Sequence, residues 1–224
     1  MKPIVLFGAG KIAEVVLYFF NQNNLQKVVA CTTDRDYLPA SEWNSLPMVP
    51  FENLTSAYPP EHFDVFVALG YQELNSLRAK KCEEARALGY TLASYIHQDP
   101  GLPKDFEHGD NCFVMNQAII HPKVHLGNNV FVWSGAMIGH HSKVGDNCWL
   151  TSCCNISGMV TVGDNCFLAV NSTISNSVKV GNRCFIGANT LVTMSTKDNA
   201  AYVAESSKPF RLNSQQLIRR MGKL

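Results

Sequence analysis

The feature of this 224-residue chain that most restricts its fold is a six-residue period in its C-terminal half. Every sixth residue is aliphatic along Val114, Ile120, Leu126, Val132, Ile138, Val144, Leu150, Ile156, Val162, Leu168, Ile174, Val180, Ile186 and Val192. Leu102 extends the phase towards the N-terminus, and only His108 breaks it. The next position is often glycine (Gly127, Gly139, Gly145, Gly163, Gly181, Gly187), and the fourth after the aliphatic is small or β-branched, as at Val130, Ala136, Ser142, Cys148 and Cys154. A sandwich strand would alternate with a period of two, whereas a sustained longer period marks a stacked repeat. If each unit is a short strand plus a turn, three units close a triangular circuit. The aliphatic side chain then fills the axis, and successive circuits hydrogen-bond at the usual strand spacing of about 4.8 Å. Glycine at the corners is expected to supply positive φ.

Residues 1 to about 97 follow a different rule. Short β-branched runs (Ile4 to Phe7, Val28 to Thr32, Asp64 to Leu69, Thr91 to Ile96) alternate with amphipathic stretches (Lys11 to Asn21, Gln72 to Leu88), which predicts βαβ units around a parallel sheet. In Gln72 to Leu88 the expected apolar face is Leu74, Leu77, Cys82, Ala85 and Leu88, with Gly89 at the C-cap. Residues 37–60 hold five prolines and read as loop with at most one short strand. The chain divides on this reading into an α/β unit at 1–97, a coil at 98–200 and a tail at 201–224 with a short helix from Gln215 to Met221. Phe7-Gly8-Ala9-Gly10-Lys11-Ile12-Ala13 links a strand to a helix in a Gly-x-Gly-x-x-Ala pattern, and Asp34 follows the second strand. This is the grammar of a phosphate-holding βα turn, although about 95 residues leave no room for a second nucleotide-binding half.

Composition narrows the partners. Lys plus Arg number 19 against 18 Asp plus Glu, so no net field attracts nucleic acid or an anionic membrane. No apolar run approaches the roughly 20 residues of a membrane span, and the expected location is cytoplasmic. Four of the eight cysteines (Cys148, Cys154, Cys166, Cys184) share one place of the hexad and read as apolar filler.

The hexads, the glycine-rich βαβ unit before them and the segment Ile138-Gly139-His140-His141-Ser142-Lys143-Val144-Gly145-Asp146 together resemble the hexapeptide-repeat sugar acyltransferases of the bacillosamine and sialic-acid pathways. The resemblance covers nearly the whole chain. It implies a left-handed parallel β-helix, an exception to the right-handed crossover rule, assembled as a homotrimer with active sites between neighbouring prisms. It also implies an acetyl-CoA donor and a nucleotide-linked amino sugar as acceptor, with no metal. His140 matches the family's general base, and its third place in the hexad points it outward, where an imidazole can take a proton near neutral pH. His141 stands where relatives carry a glutamate, Trp133 where they carry an asparagine, and Trp149 where they carry a histidine near the thioester. Gly158, the stretch Cys166 to Asn171 including Val170, and Ala188 resemble the donor-binding segments. Gly8, Gly10, Lys11, Asp34 and Gly70 resemble the lining of the acceptor pocket.

His121 and His125 lie four apart but at hexad places that face different ways, so they are not read as a zinc pair. His97 reads as a linker residue, and no cysteine stands where a covalent acyl intermediate would need one. The function expected is N-acetylation of a nucleotide-linked amino-deoxy sugar for a surface glycan. Acylation of a sugar hydroxyl, or a trimer that binds nucleotide sugars without catalysis, remain as alternatives.

Overall fold

The computed structural model describes residues 1–23, 26–38, 40–98 and 101–222. The first unit holds strand β1 (Ile4–Phe7), helix α1 (Lys11–Asn23), β2 (Val28–Thr33), β3 (Glu42–Trp43), β4 (Leu46–Pro50), the single turn α2 (Leu54–Ala57), β5 (Asp64–Val67) and α3 (Ser76–Ala87). The sheet order is β3-β4-β2-β1-β5, parallel throughout except for the β3–β4 hairpin. The proline-rich stretch thus holds two strands and not one. Pro47 and Pro50 mask β4, because a residue without an N–H is usually taken as the end of a ladder.

Helix α3 starts later than its periodicity predicts and buries a different face. Arg78, Lys81, Cys82 and Ala85 are buried, while Leu77 and Leu88 are exposed. These four recur at i, i+3, i+4 and i+7, so the helical rule holds, with two cations on the inner face.

The predicted strand Thr91 to Ile96 is split between the two units. Leu92 bridges Val65 of β5, and then β6 (Tyr95–Ile96) pairs with Phe113–Val114 of the coil. His97, the residue just after β6, donates its N–H to the Val114 carbonyl at 2.9 Å, which ties the junction between the units to the coil.

From β7 (Glu107–His108) to β21 (Leu191–Val192), two-residue strands recur every six residues and stack in parallel on partners eighteen residues away. They form three sheets, the walls of a triangular prism. The second residue of each strand from Val114 onwards points into the axis and is buried, and Cys112, Cys148, Cys154, Cys166 and Cys184 fill the same core. His108, the break in the phase, lies exposed in the first of these strands.

The corners correct the expectation about glycine. The residue with φ near +60° is almost never glycine: it is Asn111, Gln117, Lys123, Asn129, His141, Asn147, Cys153, Met159, Asn165 and so on, again every sixth, with Gly135 the exception. Asparagine dominates because its short amide tolerates the left-handed region. The hexad glycines instead provide clearance between circuits. A Cβ on Gly145 would lie 2.9 Å from the Gly163 carbonyl carbon, and one on Gly163 would lie 2.8 Å from the Asn182 nitrogen.

The outward residue of each strand gives each wall its character. One wall carries Phe113, Phe131, Trp149, Phe167 and Phe185, a second Ile119, Met137, Asn155, Thr173 and Leu191, and the third Glu107, His125, Lys143, Thr161 and Lys179. The ring wall is where the α/β unit docks, through Phe19, Phe20, Phe66, Tyr71 and Tyr95. After β22 (Ala201–Tyr202), which closes the ring wall's sheet, the chain runs out to helix α4 (Ser214–Met221), capped by Asn213 and Gln216.

Candidate active site

His140 and His141 follow Met137–Ile138 at the corner between the neutral and the charged walls, the corner opposite the ring wall. Both imidazoles are exposed. The hexad explains why: Ile138 turns inward, Gly139 passes against the next circuit, and His140 is the first side chain free to leave the prism. A Cβ on Gly158, one circuit on, would come within 2.6 Å of His140 Nε2 and 2.7 Å of Cε1. The ring therefore lies across the bare backbone of Gly158, and no larger residue could stand there without moving it. Gly158→Ala is expected to lower turnover at least ten-fold while leaving the melting temperature close to that of the parent. Steady-state kinetics together with a thermal melt checks this, because a displaced base loses rate more than stability.

His141 occupies the left-handed corner position (φ 59°), and its Nδ1 lies 3.2 Å from Nδ1 of His140. One of the two nitrogens must carry the proton between them. If His140 donates, its Nε2 is unprotonated and can accept a proton. The imidazolium formed then keeps its Nδ1–H bonded to neutral His141. The second imidazole thus supplies the orienting hydrogen bond of a carboxylate but not its charge.

The other coil residues lie elsewhere. Trp133, Val170 and Ala188 sit at the corner between the ring and neutral walls, across the neutral wall from His140 and Gly158. Val170 and Ala188 are exposed; Trp133 is half-buried, and its Nε1 has no hydrogen-bond partner among the described residues. Trp149, which by resemblance holds a position near the thioester, lies inside the ring wall. It is 2% exposed, stacked on Phe131 at 4.9 Å and 12°, with Tyr71 at 5.5 Å. A bulky indole in that column serves as packing between the two units. In the stretch Cys166 to Asn171, Cys166, Phe167 and Leu168 are buried, so only Ala169, Val170 and Asn171 reach the surface.

The second candidate region is a cavity of about 480 Å³ in the α/β unit. Gly8, Gly10 and Asp34 line it, together with Thr33, Tyr37, Leu69, Leu77 and Lys81. Gly8 holds φ at +127°, where a Cβ would meet the Ala68 carbonyl at 2.9 Å, whereas Gly10 faces open space at the start of α1. Two expected members are not in the lining. Lys11 points into solvent and pairs with Glu14 at 3.1 Å, and Gly70 is buried one residue beyond Leu69, its carbonyl taken by Arg78 at 2.9 Å.

Lys81 is the member that sequence reasoning missed. Its ammonium donates to Asp34 Oδ1 at 2.6 Å and to Glu84 Oε2 at 2.7 Å. Burial pushes this group down, but the bonds to Asp34 and Glu84 outweigh it and the net shift is upward, so the lysine is charged at neutral pH. A lysine on a helix usually signals a solvated face; the available clue was its spacing from Leu77 and Ala85. Thr33 Oγ1 is buried in the same cavity wall without a partner among the described residues.

No three His, Cys, Asp or Glu residues gather to hold a metal among the described residues. Burial pushes the thiols of Cys31, Cys82, Cys112 and Cys154 up to about 12, far from nucleophilic thiolates.

The bacterial transferase hexapeptide family (six repeats) matches residues 107–140, and the hexapeptide repeat of succinyl-transferase matches residues 159–194. This is a hexapeptide-repeat coil. Among solved structures, perosamine N-acetyltransferase from Caulobacter crescentus is 23% identical with a TM-score of 0.78, covering 91% of this chain and 94% of its own. The acetyltransferase domain of PglB from Neisseria gonorrhoeae FA1090 is 23% identical with a TM-score of 0.79, covering 94% and 100%. WeeI from Acinetobacter baumannii AYE is 17% identical with a TM-score of 0.57, covering 91% and 97%. No curated protein matches the chain in sequence. The likeness spans both units, and the shared fold is an N-terminal α/β unit followed by a left-handed parallel β-helix of hexapeptide repeats.

Proposed function

We propose that this protein transfers an acetyl group from acetyl-CoA to the amino group of a nucleotide-linked amino-deoxy sugar. The observation that carries the reading is the exposed imidazole of His140, laid over Gly158 and held at Nδ1 by His141. Two further facts support it. The hexapeptide relatives sharing this architecture include one solved with CoA and GDP-perosamine and one solved with acetyl coenzyme A. The cavity of the α/β unit also has the polarity that a nucleotide needs. Gly10, with open space beside it at the α1 N-terminus, suits phosphate oxygens, and Asp34 and Lys81 in the same lining suit hydroxyl and ring N–H groups.

In the reaction, the acceptor nitrogen attacks the thioester carbonyl carbon while Nε2 of His140 takes the proton the nitrogen loses. As the C–S bond breaks, that proton passes to the departing sulfur, which leaves as free CoA thiol. No covalent enzyme intermediate is needed.

His140 stands at the corner opposite the wall that carries the α/β unit, so the base and the acceptor cavity of one chain face different directions. A second copy must complete the site, and a homotrimer packed through the neutral walls does so. It brings the His140 corner of one protomer to the corner of the next that bears Trp133, Val170 and Ala188. No helix among the described residues is long and apolar enough to cross a membrane, and the cytoplasm is the proposed location.

The test is release of free thiol from acetyl-CoA with a panel of UDP-, dTDP- and GDP-linked amino sugars and their hydroxyl counterparts. Turnover with one amino sugar is expected. Silence across the panel while a nucleotide sugar still binds would overturn catalysis in favour of a binding role.

A further inference from the structure

Between β5 and α3 the chain does something costly. Glu73, Leu74 and Asn75 adopt φ of 52°, 50° and 67°, three consecutive non-glycine residues in the left-handed region. Strain of this kind persists only where surrounding structure over-determines it. Here the surroundings are the coil. Asn165 Nδ2 donates to the Leu74 carbonyl at 3.2 Å, and Asn75 Nδ2 donates to the Cys166 carbonyl at 3.2 Å. Arg78, fully buried, donates to Asn75 Oδ1 at 3.1 Å, to the Gly70 carbonyl at 2.9 Å and to Asn129 Oδ1 at 2.8 Å. Its guanidinium lies 4.5 Å from the Phe131 ring centre and 5.1 Å from that of Trp149. Leu69 before the loop and Leu77 in the first turn of α3 both line the 480 Å³ cavity.

We infer that Arg78 and Asn165 are positioning residues for the acceptor: they clamp the strained loop 71–75 to the coil and so hold Leu69 and Leu77 in the shape that receives the nucleotide. The inference rests on reading that cavity as the acceptor pocket. Released from its clamp, the loop would relax out of the left-handed region, and both cavity walls would move with it. The donor-binding face of the coil would be untouched, because the clamp uses the corner on the far side of the prism from the neutral wall.

The test uses Asn165→Ala, which removes one surface-proximal bond, and Arg78→Lys, which keeps the charge but loses the fork. Calorimetry with UDP, GDP and dTDP measures the acceptor pocket, calorimetry with acetyl-CoA measures the donor site, and amide exchange reads residues 70–76. In Asn165→Ala the exchange of that segment is expected to quicken. The affinity for the bound nucleotide should weaken about ten-fold and the acetyl-CoA affinity stay within about two-fold, an acceptor-side KM effect with kcat retained. Arg78→Lys should shift the same way and further. Faster exchange with unchanged nucleotide affinity would overturn the inference, and so would an equal loss at both sites, which marks general destabilisation. If the unmodified protein binds none of the three nucleotides, the pocket reading itself fails, and that is seen before any variant is made.

Discussion

Turnover of the acetyl transfer is expected to fall by roughly 10²- to 10⁴-fold when His140 becomes alanine, the range typical for loss of a positioned general base. The side chain is exposed and lies against the Gly158 backbone and His141, so the melting temperature should stay near that of the parent. Acetyl-CoA and nucleotide-sugar affinities should change little, placing the loss in kcat. His141→Ala should cost less, because it leaves Nε2 in place and removes only the hydrogen bond that orients it. Near-parental kcat for His140→Ala at saturating substrates would remove the imidazole from the mechanism.

The largest effect on stability is expected at Trp149. Truncation to alanine deletes a fully buried indole and should cost about 3–5 kcal/mol, measured by denaturant unfolding. The cost is high because the indole covers the buried guanidinium of Arg78 and stacks on Phe131, so the hole opens in the seam joining the two units. Trp149→Phe, matching Phe131 and Phe167 on either side, should recover most of the loss. If the indole instead acted on the thioester, the phenylalanine variant would fold normally and lose turnover.

Much of this architecture is legible in the residues because each constraint acts on one side chain at a time. An axial position such as Ile156 accepts only an aliphatic, and the prism follows from fourteen such choices in phase. The outward stance of His140 follows from the same phase. What escapes is whatever depends on two distant segments meeting. The rings at 113, 131, 149, 167 and 185 recur every eighteen residues, yet their purpose appears only once Phe66 and Tyr95 are laid on them. From the residues alone, Trp149 fits a place near the thioester or plain apolar cover equally well. Arg78 and Lys81 look like solvated helix positions until Asn129 and Asp34 are seen to receive them. The hexad glycines suggested bent corners, while their service is clearance, a property of the neighbouring circuit and not of the local chain.

The three walls of the prism restrict how such a chain can lengthen or shorten. An inserted residue throws every downstream side chain out of phase. An inserted hexad keeps the axis aliphatic but rotates the rest by one wall, turning Phe167 and Phe185 away from the α/β unit and leaving their rings wet. Only a whole lap, three hexads together, adds height without changing which wall faces what. Viable length variants of this coil should therefore differ by complete storeys, with the floor plan preserved.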